Sequence, residues 1–142
     1  MIFYDSSYLI ALINKKDKYH AEAEEIKNIL TNRNFNACIN FTVLLEVLNS
    51  ANKYNRLKTN EIFKELESKT NIIMLDYEDL KNSLDLHKYY NHALNFNDCT
   101  ILNTMDENDI NFIISFDRDF DKVKWIKRIY LKNISLLDYR FN

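Results

Sequence analysis

Ile2-Phe3-Tyr4-Asp5-Ser6-Ser7-Tyr8-Leu9-Ile10-Ala11-Leu12-Ile13 opens the chain with two different elements and an acid between them. Residues 2–5 read as a short buried strand, because a brief run of large apolar residues suits a strand covered on both faces. Over 6–14 the apolar residues Tyr8, Leu9, Leu12 and Ile13 fall at helical spacing. Asp5 then stands at the carboxyl end of a strand, where open α/β sheets bind their ligands.

The same succession recurs outward from this stretch. A charged helix over 18–30 turns Ala21, Ala23, Ile26 and Leu30 inward, and 36–40 is a second strand leading into a strongly apolar helix over 41–54. A helix over 57–68, with Ile62, Phe63 and Leu66 buried, precedes a third strand at 71–75. Helices over 77–90 and 97–108 lead to a fourth strand at 112–116 and a fifth at 128–131. Strands alternating with helices predict an α/β fold of three layers, α/β/α, around a central parallel sheet of four to five strands.

Composition narrows the chemistry. The chain of 142 residues contains no glycine and no proline. A phosphate-binding P-loop, a dinucleotide fingerprint and a serine nucleophile elbow all need glycine for backbone approach or a strained turn, so those classes fall away. Asparagine, which tolerates the left-handed conformation, is expected at helix ends and turns: Asn32, Asn34 and Asn36, and also Asn14, Asn55, Asn91 and Asn95. A formal charge of −2 gives no general attraction for nucleic acid, so any such contact must come from local patches and bound cations. Asp5 and the lysines at 15, 16 and 18 interrupt any secretory leader, and no apolar run reaches the roughly 20 residues of a membrane span. Cys38 and Cys99 have neither metal-ligand nor disulfide spacing and are expected to be buried free thiols of a cytoplasmic protein.

Four acids carry the functional signal. Asp5 ends strand one, Glu46 lies within two turns of the helix after strand two, Asp98 opens a helix, and Asp117 closes Phe112-Ile113-Ile114-Ser115-Phe116-Asp117. Each has an ordinary role available. Asp5 suits an N-cap, Asp98 gains from a helix dipole, and Asp117 and Asp119 suit caps for a turn at 120–122. Glu46 sits on a narrow polar stripe with Thr42, Asn49, Ser50 and Lys53. Jointly, all four are placed to converge on one edge of the sheet. Carboxylates that close raise one another's pKa, and hard divalent cations relieve the repulsion. Metal-dependent phosphodiester chemistry follows, since two ions about 3.5–4 Å apart clamp both the attacking and the leaving oxygen.

The same stretches resemble the PIN-domain family. Phe3-Tyr4-Asp5-Ser6-Ser7-Tyr8-Leu9 is similar to its opening, Thr42-Val43-Leu44-Leu45-Glu46 to the second acid, Phe96-Asn97-Asp98-Cys99-Thr100 to the third, and Ser115-Phe116-Asp117-Arg118-Asp119 to its closing signature. The nearest branch is that of the VapC-like toxins. The resemblance implies one PIN-like nuclease domain over residues 1–142, a Mg2+- or Mn2+-dependent endoribonuclease leaving 5′-phosphate and 3′-hydroxyl ends. It implies that Asp5, Glu46, Asp98 and Asp117 hold the metal and are catalytic. Ser6 and Ser115 would support them by hydrogen bonds, and Asp119 would reach the metal through water. It also implies an RNA substrate, a neutralising protein antitoxin, and a homodimer, for which the helices near Tyr8 and Leu57 offer apolar surface.

Basic residues are secondary candidates. Arg118, beside Asp117, is placed at the rim of such a site, and Lys15, with Lys16 and Lys18, follows the first helix. Lys53, Arg56 and Lys58 form a further cluster, and Lys122, Lys124, Lys127 and Arg128 another. His87 and His92 lie five apart, which does not stack them on one helix face. Two other functions compete. One is a catalytically silent PIN-like binding or scaffold module. The other is a phosphatase-like hydrolase with Asp5 as nucleophile, a class that normally carries a second aspartate where this chain has Ser7.

Overall fold

The computed structural model describes residues 1–54 and 58–138. Its elements, in chain order, begin with β1 (Ile2–Tyr4), α1 (Ser6–Ile13), α2 (His20–Arg33), β2 (Ala37–Asn40) and α3 (Phe41–Tyr54). They continue with α4 (Thr59–Lys69), β3 (Asn71–Ile73), α5 (Tyr77–Tyr89), α6 (Phe96–Glu107), β4 (Phe112–Ile114) and β5 (Lys127–Ile129). Short 3-10 helices cover Arg118–Lys122 and Leu131–Leu137. Asn55, Arg56 and Leu57 lie outside the described residues.

All five strands are parallel, in the order β3-β2-β1-β4-β5. Phe3 pairs with Cys38 on one side and Ile113 on the other. The chain therefore builds outward from β1 in one direction, then crosses back to add β4 and β5. By the right-handed rule for parallel crossovers, α1 to α4 cover one face and α5 and α6 the other, in keeping with the packing of α1 against α2 and α3 and of α5 against α6. The result is the expected three-layer α/β/α architecture. The direction of building reverses between β1 and β4, and that switch point is where such sheets open a crevice beyond the strand ends.

The strands are short because each ends with its partner. β4 stops at Ile114, opposite Tyr4, rather than running to Phe116. β3 pairs only with β2 and stops at Ile73 rather than Leu75. Ile2, Phe3, Cys38, Ile39, Ile113 and Ile114 are fully buried, as strands covered on both faces should be. In α2 the buried row is Ala23, Ile26 and Leu30, and Ala21, expected inward, is exposed. It lies two residues before that row, on the opposite side of the helix.

Asparagine does the work of glycine at Asn34, which ends α2 in the left-handed region, and at Asn91. His92 and Asp109 also take positive φ. Cys38 and Cys99 are buried free thiols, and burial pushes Cys38 up to about 12, which removes it as a nucleophile. Among the described residues, no helix is long and apolar enough to cross a membrane. Of the two residues that mark the expected apolar dimer surface, Tyr8 is buried at the floor of a groove and Leu57 lies outside the described residues. An exposed apolar row also lies on α5, at Tyr77, Leu80 and Leu84, which share a face by their spacing.

Candidate functional site

The switch-point crevice is a cleft of about 330 Å3 lined by Asp5, Ser6, Ser7, Glu46, Asp98 and Asp117, with Asp17, Lys18, Tyr19, Asn95, Asn97 and Phe116 around them. Four elements deliver the acids. Asp5 follows β1, Glu46 comes from the second turn of α3, Asp98 from the first turn of α6, and Asp117 from the segment after β4. All four expected acids face one cleft.

Asp5 occupies the N-cap position of α1 but makes no side-chain capping bond. Its Oδ2 instead accepts hydrogen bonds from the hydroxyls of Ser7 and Ser115, both at 2.7 Å. Each hydroxyl has a single hydrogen, so the 3.2 Å approach of the two serine oxygens to each other is a by-product of their shared acceptor. Their lone pairs are also used: the Phe116 N–H donates to Ser7 Oγ and the Asp117 N–H to Ser115 Oγ, both at 3.0 Å. The serines thus tie the ends of β1 and β4 together across the switch point. Burial raises the Asp5 pKa, with Asp117 adding to the rise and the two serines opposing it.

Ser6 points elsewhere. Its hydroxyl donates to Glu46 Oε2 at 3.2 Å, turning the glutamate toward Asp5. Burial and then the Asp5 charge raise the Glu46 pKa. Thr42 and Thr100 meet at 2.9 Å between their hydroxyls, and Asn40 donates to the Thr100 carbonyl at 3.2 Å. These bonds hold the start of α3 against α6.

Asp98 is strongly perturbed. Asn95 caps its helix, accepting from the Asp98 N–H at 2.8 Å. The Asp98 carboxyl itself is buried, and its Oδ2 has no hydrogen-bond partner among the described residues. Burial pushes its pKa up to about 7, with the charges of Asp117, Asp5, Asp119 and Glu46 adding in that order. A buried carboxylate oxygen without a partner is costly unless something positive satisfies it.

Asp98, Asp117 and Asp119 each bring one carboxylate oxygen to within 4.8 Å of the others. Asp117 also acts as an ordinary cap, accepting from the Asp119 N–H at 2.9 Å. Asp119 therefore belongs to the tight group rather than to its outskirts, although Lys122 already binds its Oδ1 at 2.9 Å.

The basic residues fall differently. Lys15 lines a separate groove bounded by α1, α2 and α4, so it does not face the acids. Lys18 does. The chain turns after α1, with Asp17 accepting from the Tyr19 N–H at 2.8 Å, and this swings Lys18 over the Tyr19 ring at 4.9 Å. Tyr19 stacks on Phe116 at 4.4 Å, with planes 7° apart, to form an aromatic wall of the cleft. Arg118 is exposed on the 3-10 helix beyond Asp117 and does not line the cleft.

Ser7→Ala and Ser115→Ala are each expected to destabilise the fold by about 1–3 kcal/mol, the usual cost of taking a hydrogen-bond donor from a buried acceptor. Ser6→Ala should act through Glu46. Melting curves for the three variants check this.

The family profile described as PIN domain matches residues 2–126. The chain belongs to the PIN-domain family. This PIN domain shares its fold with a VapC toxin of Mycobacterium tuberculosis that cleaves the sarcin-ricin loop, at TM-score 0.78 and 18% identity, covering 92% of this chain and 100% of the toxin. A VapBC2 complex from Rickettsia felis, bound to promoter DNA, matches at TM-score 0.70 and 14% identity, covering 92% and 100%. A toxin–antitoxin complex from Klebsiella pneumoniae matches at 0.66 and 21%, covering 91% and 100%. No curated protein matches the chain significantly.

Proposed function

We propose that residues 1–142 act as one PIN-like nuclease domain, a Mg2+- or Mn2+-dependent endoribonuclease that works in the cytoplasm as the toxin of a toxin–antitoxin pair. The observation that carries this reading is the buried Oδ2 of Asp98, without a hydrogen-bond partner among the described residues, with Asp117 and Asp119 oxygens within 4.8 Å of its ligand atom. An all-carboxylate donor set fits a hard divalent cation and fits little else. Asp5, Glu46, Asp98 and Asp117 are the proposed metal-holding and catalytic residues, and Asp119 joins them.

When bound, such an ion supplies positive charge for the phosphate oxygens and makes water a stronger nucleophile at neutral pH. The chain's own residues do the rest. Ser7 and Ser115 fix the Asp5 carboxylate, and Ser6 orients Glu46. Lys18 offers the cleft a cation for a phosphate, and the stacked Tyr19 and Phe116 offer an apolar wall for an unpaired base. Arg118 is a rim contact for the RNA backbone.

The antitoxin reading is supported by fold neighbours that are toxin–antitoxin complexes and by the second groove. It encloses about 530 Å3, is floored by Tyr8, Leu9, Leu30 and Leu66, and is edged by Lys15, Lys27, Lys58 and Lys69 against a single acid, Glu65. That pattern suits an amphipathic partner segment with acidic flanks. A homodimer would draw on apolar surface near Tyr8 or on the exposed row of α5.

Of the competing readings, the phosphatase loses support because Ser7 donates its hydroxyl to Asp5 rather than leaving a free acid there. Incubation with end-labelled RNA and DNA oligomers in Mn2+, and then with chelator, separates the others. Chelator-sensitive RNA cleavage yielding 5′-phosphate ends is the expected result. An intact RNA that is nonetheless bound would establish the silent binding module instead.

A further inference from the structure

His87 and His92 are too far apart in sequence to share a helix face, yet their Nδ1 atoms lie 3.0 Å apart. The helix ends between them. The His92 N–H donates to the His87 carbonyl at 3.0 Å and the Asn91 N–H to the Lys88 carbonyl at 2.9 Å, while Asn91 takes a φ of 52°. This is a Schellman turn, which brings the third residue from the helix end beside the second residue beyond the cap. Apolar side chains usually meet there. Here both are imidazoles, and His92 itself is left-handed at φ 61°. Phe96 meets the His87 ring edge-on at 6.4 Å between centroids.

We propose that His87 and His92 form a two-nitrogen chelate for a late first-row transition ion, Cu2+ or Ni2+, separate from the carboxylate cleft. Imidazole nitrogen suits these metals, whereas the carboxylate set suits Mg2+ and Mn2+. With metal–nitrogen bonds of about 2.0–2.1 Å, the 3.0 Å spacing subtends an angle of about 91–97°. That is near the right angle of a tetragonal site and well short of a tetrahedral one. The two nitrogens share one proton in their hydrogen bond, so chelation needs one ring to carry its N–H on Nε2. Two neutral rings release no net proton in the change. Neither histidine belongs to a group of three or more candidate ligands among the described residues, so water completes the coordination.

The site stands independently of the nuclease reading, and its test keeps the two apart. Untagged full-length protein is titrated with Cu2+ in excess Mg2+, which occupies the carboxylates, and followed by calorimetry and electron paramagnetic resonance. Wild type and Asp98→Asn are expected to bind one Cu2+ with hyperfine splitting from two nitrogens. His92→Asn, which keeps a residue tolerant of the left-handed region, and His87→Gln should each lose at least tenfold in affinity and the two-nitrogen pattern, with unchanged circular dichroism. Retention of that pattern in either histidine variant overturns the proposal, as does its loss in Asp98→Asn.

Discussion

Asp98→Asn is expected to reduce phosphodiester cleavage by more than the roughly 10–100-fold typical of an outer partner's loss, without unfolding the protein. The substitution keeps the shape and removes the charge. Among the described residues Asp98 is the one acid with a buried oxygen that has no partner, and the other acids surround it, so on the proposed reading a cation would offset its ionised form. Neutralising it relieves repulsion from Asp117 and Asp5 and costs no hydrogen bond made by its Oδ2. Its helix cap is untouched, because Asn95 bonds the backbone N–H. Asp5→Asn should lose activity comparably, since a carbonyl oxygen still accepts from Ser7 and Ser115 but no longer contributes charge. Single-turnover rates in Mn2+, with melting curves, measure both variants. Wild-type cleavage by either would remove that residue from the site.

Much of the architecture was legible because strand ends and helix starts are backbone features with sequence signatures. Asp5, Glu46, Asp98 and Asp117 could be placed on one edge from element boundaries that shifted by only a residue or two in the structure. What was not legible is where side chains turn. Ser6 and Ser7 are adjacent in the first turn of α1, about 100° apart around the helix axis, so one reaches Glu46 on α3 and the other doubles back to Asp5. Sequence order alone favours neither, and Ser7 was missed. Lys15 and Lys18 were likewise indistinguishable until the Asp17 turn separated them onto different faces. Asp119 joins the tight group because the 3-10 turn begun by Asp117 folds it back, and a turn that short has little periodicity to read. His87 and His92 meet only because α5 stops between them in a non-glycine left-handed turn.

The metal-free protein is expected to lose stability as pH rises from about 4 to about 8, and divalent metal should restore it at the upper end. The sign follows from Asp98, whose carboxyl titrates at 3.8 without its folded surroundings and at about 7 within them. Between those values the folded state holds the proton more tightly than the unfolded state does, so stability is fully present below the lower value and drains away through the higher. At about 1.4 kcal/mol per unit, the effect is on the order of 2–4 kcal/mol, and the raised values of Asp5 and Glu46 act in the same direction. An ion held by the ionised cluster reverses the gradient, because it binds the folded state and not the unfolded chain. Urea unfolding at pH 5 and pH 8, with chelator or with Mn2+, measures both effects. In Asp98→Asn the chelator-treated protein should show a flatter pH dependence, and Mn2+ should stabilise it far less. An equal Mn2+ gain in wild type and variant would mean that the ion binds elsewhere. A chelated wild type more stable at pH 8 than at pH 5 would mean that the carboxyls are not crowded in solution.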